Sequence, residues 1–294
     1  MIHLPAPAQF SWTECLWFLD RRYDDCLYAI EGQSVTKAVV LEGRPVLLRI
    51  SGDREGLKVD VKGGKSASEE TIQAYIRDWF DMDRDVRPFY SLLRKHPRVA
   101  YMAREFKGLR LVGIPDLFES LSWCIIGQQI NLSFAHKVKR QLVAAYGGSV
   151  AGHSLFPAPE VLAELKEPDY KALQFSRLKA EYMITLSKAF ADGVISKVAL
   201  LALEDTEARM KALTSIRGIG AWTANYALMK SLRDTTRIPH GDVGLLKALV
   251  DHDLMADRKD QKAFLRFFAE FSGWESYMVF YLWRSLSPPQ LAAS

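Results

Sequence analysis

The sequence predicts a mainly α-helical protein with a small α+β domain at its N-terminal end, and three observations lead there. Between residues 25 and 63 the stretches CLYAI, TKAVVL, PVLLRI and LKVDV, mostly rich in β-branched residues, are separated by the turns EGQS, EGR and SGDREG, a run of short strands forming a small antiparallel sheet. Beyond about residue 84 strand signals nearly vanish and amphipathic helical segments follow one another. The chain has 294 residues, 49% of them hydrophobic and 25% charged, enough to bury a sizeable core and ordinary for a globular protein.

Taken in order, a first helix is expected over 13–19 (TECLWFL), with Ser11 and Thr13 as candidate N-caps, and a second over 68–80, with Ser68 as cap and acids in its first turn. Helices then follow at 85–94, 97–105, 115–126, 133–146, 158–165, 177–192, 206–213, 221–232, 242–250 and 260–286, the last broken near Gly273. YGG at 146–148 and FPAPE at 156–160 punctuate them. The expected division is an N-terminal α+β domain over 1–107 and a helical domain over 108–294.

A net charge of +4 favours a polyanionic partner only mildly. Cys15, Cys26 and Cys124 form no C-x-x-C pair and read as reduced and buried. Neither a signal peptide nor an eighteen-residue apolar run is evident, so a soluble cytoplasmic protein is expected, nucleoid-associated if bacterial.

The stretch 216-IRGIGAWTANYALMK-230 places Gly218 and Gly220 between two helical segments. Leu213, Ile216 and Ile219 are spaced to face inward, and so tight a turn needs positive φ, which glycine supplies. It also gathers unpaired amides at the start of the next helix, where a phosphodiester fits without regard to base. An ordinary αα-hairpin with no ligand has the same local sequence.

The pattern Leu213-x-x-Ile-x-Gly-Ile-Gly-x-x-Thr-Ala224, followed by 237-RIPHGD-242 with Pro239, Gly241 and Asp242, resembles the helix-hairpin-helix and Gly/Pro-Asp loop of the base-excision DNA glycosylase superfamily. GIGAWTANY, 108-GLRLVGIPDLFESL-121, 126-IGQQ-129, 156-FPAP-159 and 274-WESYMVFYLW-283 resemble its alkylpurine (3-methyladenine) DNA glycosylase II branch, and 10-FSWTECLWFL-19 is similar to that branch's opening. The resemblance implies two helical lobes with the site in the cleft between them, the hairpin over 206–232 and the catalytic loop over 237–242.

It further implies Asp242 as the catalytic carboxylate. Breaking a glycosidic bond through an oxocarbenium-like state needs a negative charge beneath the sugar and an aligned water. An Asp before Val-Gly-Leu-Leu-Lys is also a good N-cap, and the two roles are compatible. Bifunctional members carry a lysine where this chain has Trp222, so a monofunctional enzyme without lyase activity is expected. No Cys cluster follows the hairpin, so no iron-sulfur cluster or other cofactor is expected.

Alkylated purines are cationic, electron-poor leaving groups suited to aromatic faces. Trp222 and Tyr226 lie one helical turn apart, Trp274 matches a pocket aromatic of the branch, and Phe18 does so by a weaker match. Aromatics at this spacing also serve as core. Gln129 stands at the wedge position that fills the gap left by a flipped base, where the branch's pattern carries an apolar residue. Gly218, Gly220 and Thr223 are the expected DNA contacts of the hairpin, and the resemblance implies a monovalent cation on the main-chain carbonyls of Thr214, Ile216 and Ile219. Lys137, Lys139, Arg140, Arg177 and Lys179 are assigned no role.

The expected partner is duplex DNA containing alkylated bases, bound by a monomer with no membrane or obligate protein partner. The rivals are a non-catalytic binder of damaged DNA, a lyase with a displaced lysine, and an all-helical interaction scaffold.

Overall fold

In the computed structural model, which describes residues 1–21, 25–64 and 67–287, the N-terminal strands form one antiparallel sheet of order β1-β5-β4-β3-β2. The strands are β1 (Ile2–Pro5), β2 (Tyr28–Glu31), β3 (Ser34–Leu41), β4 (Arg44–Gly52) and β5 (Gly56–Gly64). The turn-bounded hairpins of the sequence account for β2 to β5. β1 is not legible locally: IHLP becomes a strand because Ile2 pairs with Val59 and Leu4 with Leu57, both turning inward.

α1 (Trp12–Leu19) and α2 (Glu69–Trp79) lie next to the sheet. Their caps are the serines the sequence offers: Ser11 Oγ accepts from the Glu14 amide at 3.3 Å and Ser68 Oγ from the Thr71 amide at 3.2 Å. There follow α3 (Arg87–Lys95), α4 (Met102–Glu105), α5 (Leu117–Gly127) and α6 (Leu132–Tyr146), then a two-stranded ribbon of β6 (Ser149–Val150) and β7 (His153–Ser154). Next come α7 (Pro159–Ala163), α8 (Glu167–Ala172), α9 (Arg177–Ala191), α10 (Lys197–Leu201), α11 (Thr206–Thr214) and α12 (Ala221–Ser231). The chain closes with α13 (Val243–Asp251), α14 (Gln261–Ala269) and α15 (Glu275–Ser285), the last two parted at Gly273, whose φ is +83°.

Three expectations need correction. The helix expected over 97–105 keeps only Met102–Glu105, because the Val99 and Ala100 amides turn back onto the His96 carbonyl. α8 and α10 are single short turns set by Pro168 and the Ser196 cap, too brief for periodicity to register. Cys15 and Cys124 are buried, but Cys26 is partly exposed. Residues 288–294 of the expected helical domain lie outside the described residues.

Two apolar cores organise the molecule. One joins the sheet and α1 to α3 with α13, α14 and α15, through contacts such as Phe18 on Phe280 and Phe89 on Tyr281. The other gathers α5, α6, α9, α11 and α12 around Leu121, Ile125, Met183, Leu213 and Leu228. Between them lies a pocket walled by Phe18, Leu19 and Trp79 on one side and by Trp123, His136 and Lys139 of α5 and α6 on the other. Among the described residues no helix is long and apolar enough to cross a membrane.

Candidate active site

Asp242 is the N-cap of α13, with φ −61° and ψ 122°, and its Oδ1 accepts from the Leu245 amide at 2.7 Å. The same Oδ1 accepts from the indole Nε1 of Trp283 at 3.0 Å. Oδ2 has no hydrogen-bond partner among the described residues, so one oxygen anchors the group and the other is available. Gly244 permits the approach: a Cβ there would sit 3.3 Å from Oδ1 and 3.7 Å from the Trp283 ring. Gly241, at φ +82°, turns the loop so that the Asp242 amide donates to the Pro239 carbonyl at 3.1 Å.

An aromatic chain runs from this carboxylate to α1 and α12. Trp222 stacks on Tyr226, 5.3 Å apart and 19° from parallel. Tyr226 meets Trp283 at 6.2 Å, Trp283 meets Phe280 at 6.4 Å, and Phe280 meets Phe18 at 4.7 Å. The wall therefore draws α12 from one core, and α1 and α15 from the other. Burial pushes the Tyr226 phenol well above its ordinary value, so it enters as a neutral ring and a hydrogen-bonding hydroxyl.

The hairpin tip sits beside the turn that carries Gln129. Gln129 is exposed at φ +56° between α5 and α6, and the neighbouring Gln128 donates from Nε2 to the Gly218 carbonyl at 3.1 Å. Lys179 Nζ donates to the Ile126 carbonyl at 2.8 Å. The turn at Gln128 and Gln129 and the hairpin are thus fastened to each other.

The two glycines differ. Gly218 has φ +97° and lies against Tyr182, whereas Gly220 has φ −88°, is exposed and has open space where a Cβ would stand. Only Gly218 needs positive φ, which corrects the expectation for the pair. Gly220 is the N-cap of α12 without a side-chain cap, leaving the first amides of the helix unpartnered at its positive end. Gly220→Ala is expected to change stability by less than about 1 kcal/mol while weakening duplex binding, because its Cβ would fill the open space in front of the first α12 amides, where an anion would be received. Unfolding curves and fluorescence anisotropy with labelled duplex check both halves; unchanged affinity would remove Gly220 from the DNA path.

The sequence profile of the HhH-GPD superfamily of base excision DNA repair proteins matches residues 122–272, which hold the hairpin, the Asp242 loop and the turn at Gln129. The chain belongs to this superfamily. The N-terminal domain of 8-oxoguanine DNA glycosylase matches residues 22–121. A DNA-3-methyladenine glycosylase of Bacillus subtilis is 36% identical over 97% of each chain. The 3-methyladenine DNA glycosylase of Archaeoglobus fulgidus shares the fold with a TM-score of 0.82 at 20% identity, covering 97% of both chains. So does an 8-oxoguanine glycosylase/lyase of Clostridium acetobutylicum bound to DNA, with a TM-score of 0.71 at 16% identity over 97% of this chain and 98% of that one. The chain is accordingly a base-excision DNA glycosylase.

Against the sequence reading, this HhH-GPD site brings Asp242, Trp222, Tyr226 and Phe18 into one wall, with the Gly218–Gly220 turn preceding α12 and the Gln128–Gln129 turn bonded to it. It does not bring Trp274. Trp274 is the N-cap residue at the far end of α15, and its ring packs on Phe89 at 6.0 Å and Tyr277 at 5.5 Å. Trp283 stands at Asp242 instead; nine residues on a helix amount to half a turn of rotation and about 13 Å of rise. Thr223 also departs from expectation, since its side chain is buried and only its amide belongs to the first turn of α12. Lys139 is not on a solvated face: it is buried against Asp25 and Glu119.

For the implied cation, the Thr214 and Ile219 carbonyls accept no hydrogen bond among the described residues, and the Ile216 carbonyl accepts one from the Ile219 amide at 3.0 Å. Oxygen acceptors at the negative end of α11 fit a hard monovalent cation.

Beside the pocket between the two cores, His136 is held down to about 4, chiefly by burial, which prevails over the opposing pull of the Asp25 carboxylate with help from the Lys139, Arg21 and Arg140 charges. Its folded form resists protonation, so the stability it lends is whole above about pH 6.5 and is lost as pH falls towards 4. His136→Gln is expected to flatten that part of the pH dependence by about one proton, read from urea midpoints between pH 4 and 7. Equal slopes in both proteins would refute it.

Proposed function

We propose that this glycosylase is monofunctional and excises alkylated purines from duplex DNA, leaving an abasic site. The observation that carries the reading is Asp242, held through one oxygen by α13 and Trp283 and open through the other, at the head of an aromatic wall. The Oδ2 atom faces the developing positive charge on the sugar and orients the attacking water. Trp222, Tyr226, Trp283 and Phe18 offer the π-faces that a flat cationic base favours. The hairpin at Gly218 and Gly220 grips the backbone, and Gln129 occupies the gap left by the flipped base. The name of the Bacillus subtilis relative supports the alkylpurine substrate.

The second reading is a lyase, favoured by the Clostridium acetobutylicum likeness. Against it, the position that would carry the amine is Trp222. Lys230 is on the same helix but wholly buried, with Nζ bonded to the Val112 carbonyl and lying over the Phe18 and Phe280 rings, 4.0 and 4.6 Å from their centroids. The test is release of 3-methyladenine and 7-methylguanine from methylated duplex, with strand breaks assayed before and after alkali. Breaks only after alkali, with no borohydride-trapped adduct, are expected; an adduct would establish the lyase.

A further inference from the structure

Phe18 and Tyr226 also border a cavity of about 70 Å³, room for more than one water-sized group. Charged side chains stand among its other, partly apolar walls. Lys37 on β3, Glu119 on α5, Lys139 on α6 and Asp25 all line it, and each of these side chains is about nine-tenths buried. Burial alone would raise the Asp25 carboxyl, but Lys139 and Lys37 outweigh it and hold the group at about 2.

Lys139 spends all three of its donors: on Asp25 Oδ1 at 3.1 Å, Asp25 Oδ2 at 3.0 Å and Glu119 Oε1 at 3.4 Å. This pairing ties the segment just before β2 to α5 and α6, and suffices as a clamp. Lys37 is different. Its ammonium stands 3.6 Å from Glu119 Oε2 and 5.6 Å from the Trp79 ring, and makes no hydrogen bond among the described residues although its side chain is only 9% exposed. An ammonium so enclosed, with donors that no protein atom fills, is costly, and an apolar side chain there would serve packing as well. Glu119, with two long contacts, likewise keeps unused lone pairs.

We propose that this cavity is the floor of the base pocket, and that Lys37 and Glu119 read the polar edge of the flipped base, favouring guanine-derived over adenine-derived bases. The inference rests on the glycosylase reading above for the claim that a base enters here. A guanine edge sets the O6 acceptor beside the N1–H and N2–H donors, so Lys37 donates to O6 while the Glu119 carboxylate accepts from N1–H and N2–H. An adenine-type edge sets N6–H donors against the ammonium and the N1 lone pair against the carboxylate, which is wrong at both points. 7-Methylguanine and 8-oxoguanine share the favoured edge.

The experiment is calorimetric titration of the whole protein, wild type and Lys37→Met, with free 7-methylguanine, 8-oxoguanine and 3-methyladenine. The wild type should bind both guanine-type bases at least about tenfold more tightly than 3-methyladenine, and Lys37→Met should bring the ratio close to one. Equal binding by the wild type, no binding of any base, or a ratio unmoved in Lys37→Met would overturn the proposal. Should the variant not fold, as far-ultraviolet circular dichroism would reveal, the wild-type ratio decides alone. Free-base binding needs no bond cleavage, so failure of the excision reading appears separately, as absent base release from a protein that still discriminates between bases.

Discussion

Asp242→Asn is expected to lower base release by on the order of a hundredfold to a thousandfold or more while leaving fold and DNA affinity nearly intact. Asparagine caps helices as well as aspartate does, and its Oδ1 accepts from the Leu245 amide and the Trp283 indole at the same two places. What vanishes is the negative charge, together with the acceptor at Oδ2, whose replacement is an amide donor. The substitution therefore separates capping from chemistry. The measurement is single-turnover release of methylated purines alongside urea unfolding and duplex binding. Release near the wild-type rate would mean that another group steadies the sugar, and a large loss of stability would mean that capping is the main work of Asp242.

Gly218→Ala carries the second large effect, and it falls on stability. The residue has φ +97°, where a side chain is strained, and its Cβ would lie 2.4 Å from Cγ of Tyr182. Backbone strain and ring displacement together should cost about 2–4 kcal/mol, with DNA binding lost because the turn cannot keep its shape. Adding Tyr182→Ala removes the ring but keeps the Cβ that would lie 2.7 Å away, so it should restore some of the stability and leave that residual contact together with the strain of the positive φ. Urea denaturation of the two single variants and the double variant measures this; a cost below about 0.5 kcal/mol for Gly218→Ala would show that the hairpin tolerates another backbone path.

Much of the architecture is legible because its signals are local. Strands β2 to β5 announce themselves by turns, most of the longer helices by period and caps, and the hairpin by two glycines in a fixed setting. β1 has no such signal, since four residues become a strand only through the neighbour they meet. The site divides in the same way. Asp242, Trp222 and Tyr226 follow from the resemblance around the hairpin, and the N-cap role of Asp242 follows from its own neighbours. Trp283 could be found only by asking which side of α15 looks towards α13, because WESYMVFYLW ends in tryptophan at both sides. Lys37 and Glu119 lie in separate elements, and only the folded chain reveals that an ammonium and a carboxylate share a cavity.

The order of the two cores along the chain has a consequence for synthesis. The N-terminal sheet shares its core with α13 to α15, while the intervening helices have a core of their own. As the polypeptide leaves the ribosome, the middle can condense while the first strands still wait for helices made last. Phe18 obtains Phe280, and Glu14 obtains Arg284 at 2.8 Å, only when translation is nearly over. Such distant pairings are slow to close. The same closure completes the aromatic wall, so a chain interrupted before α15 would carry the hairpin but lack Trp283, and could grip a duplex without the finished means to cut a base from it.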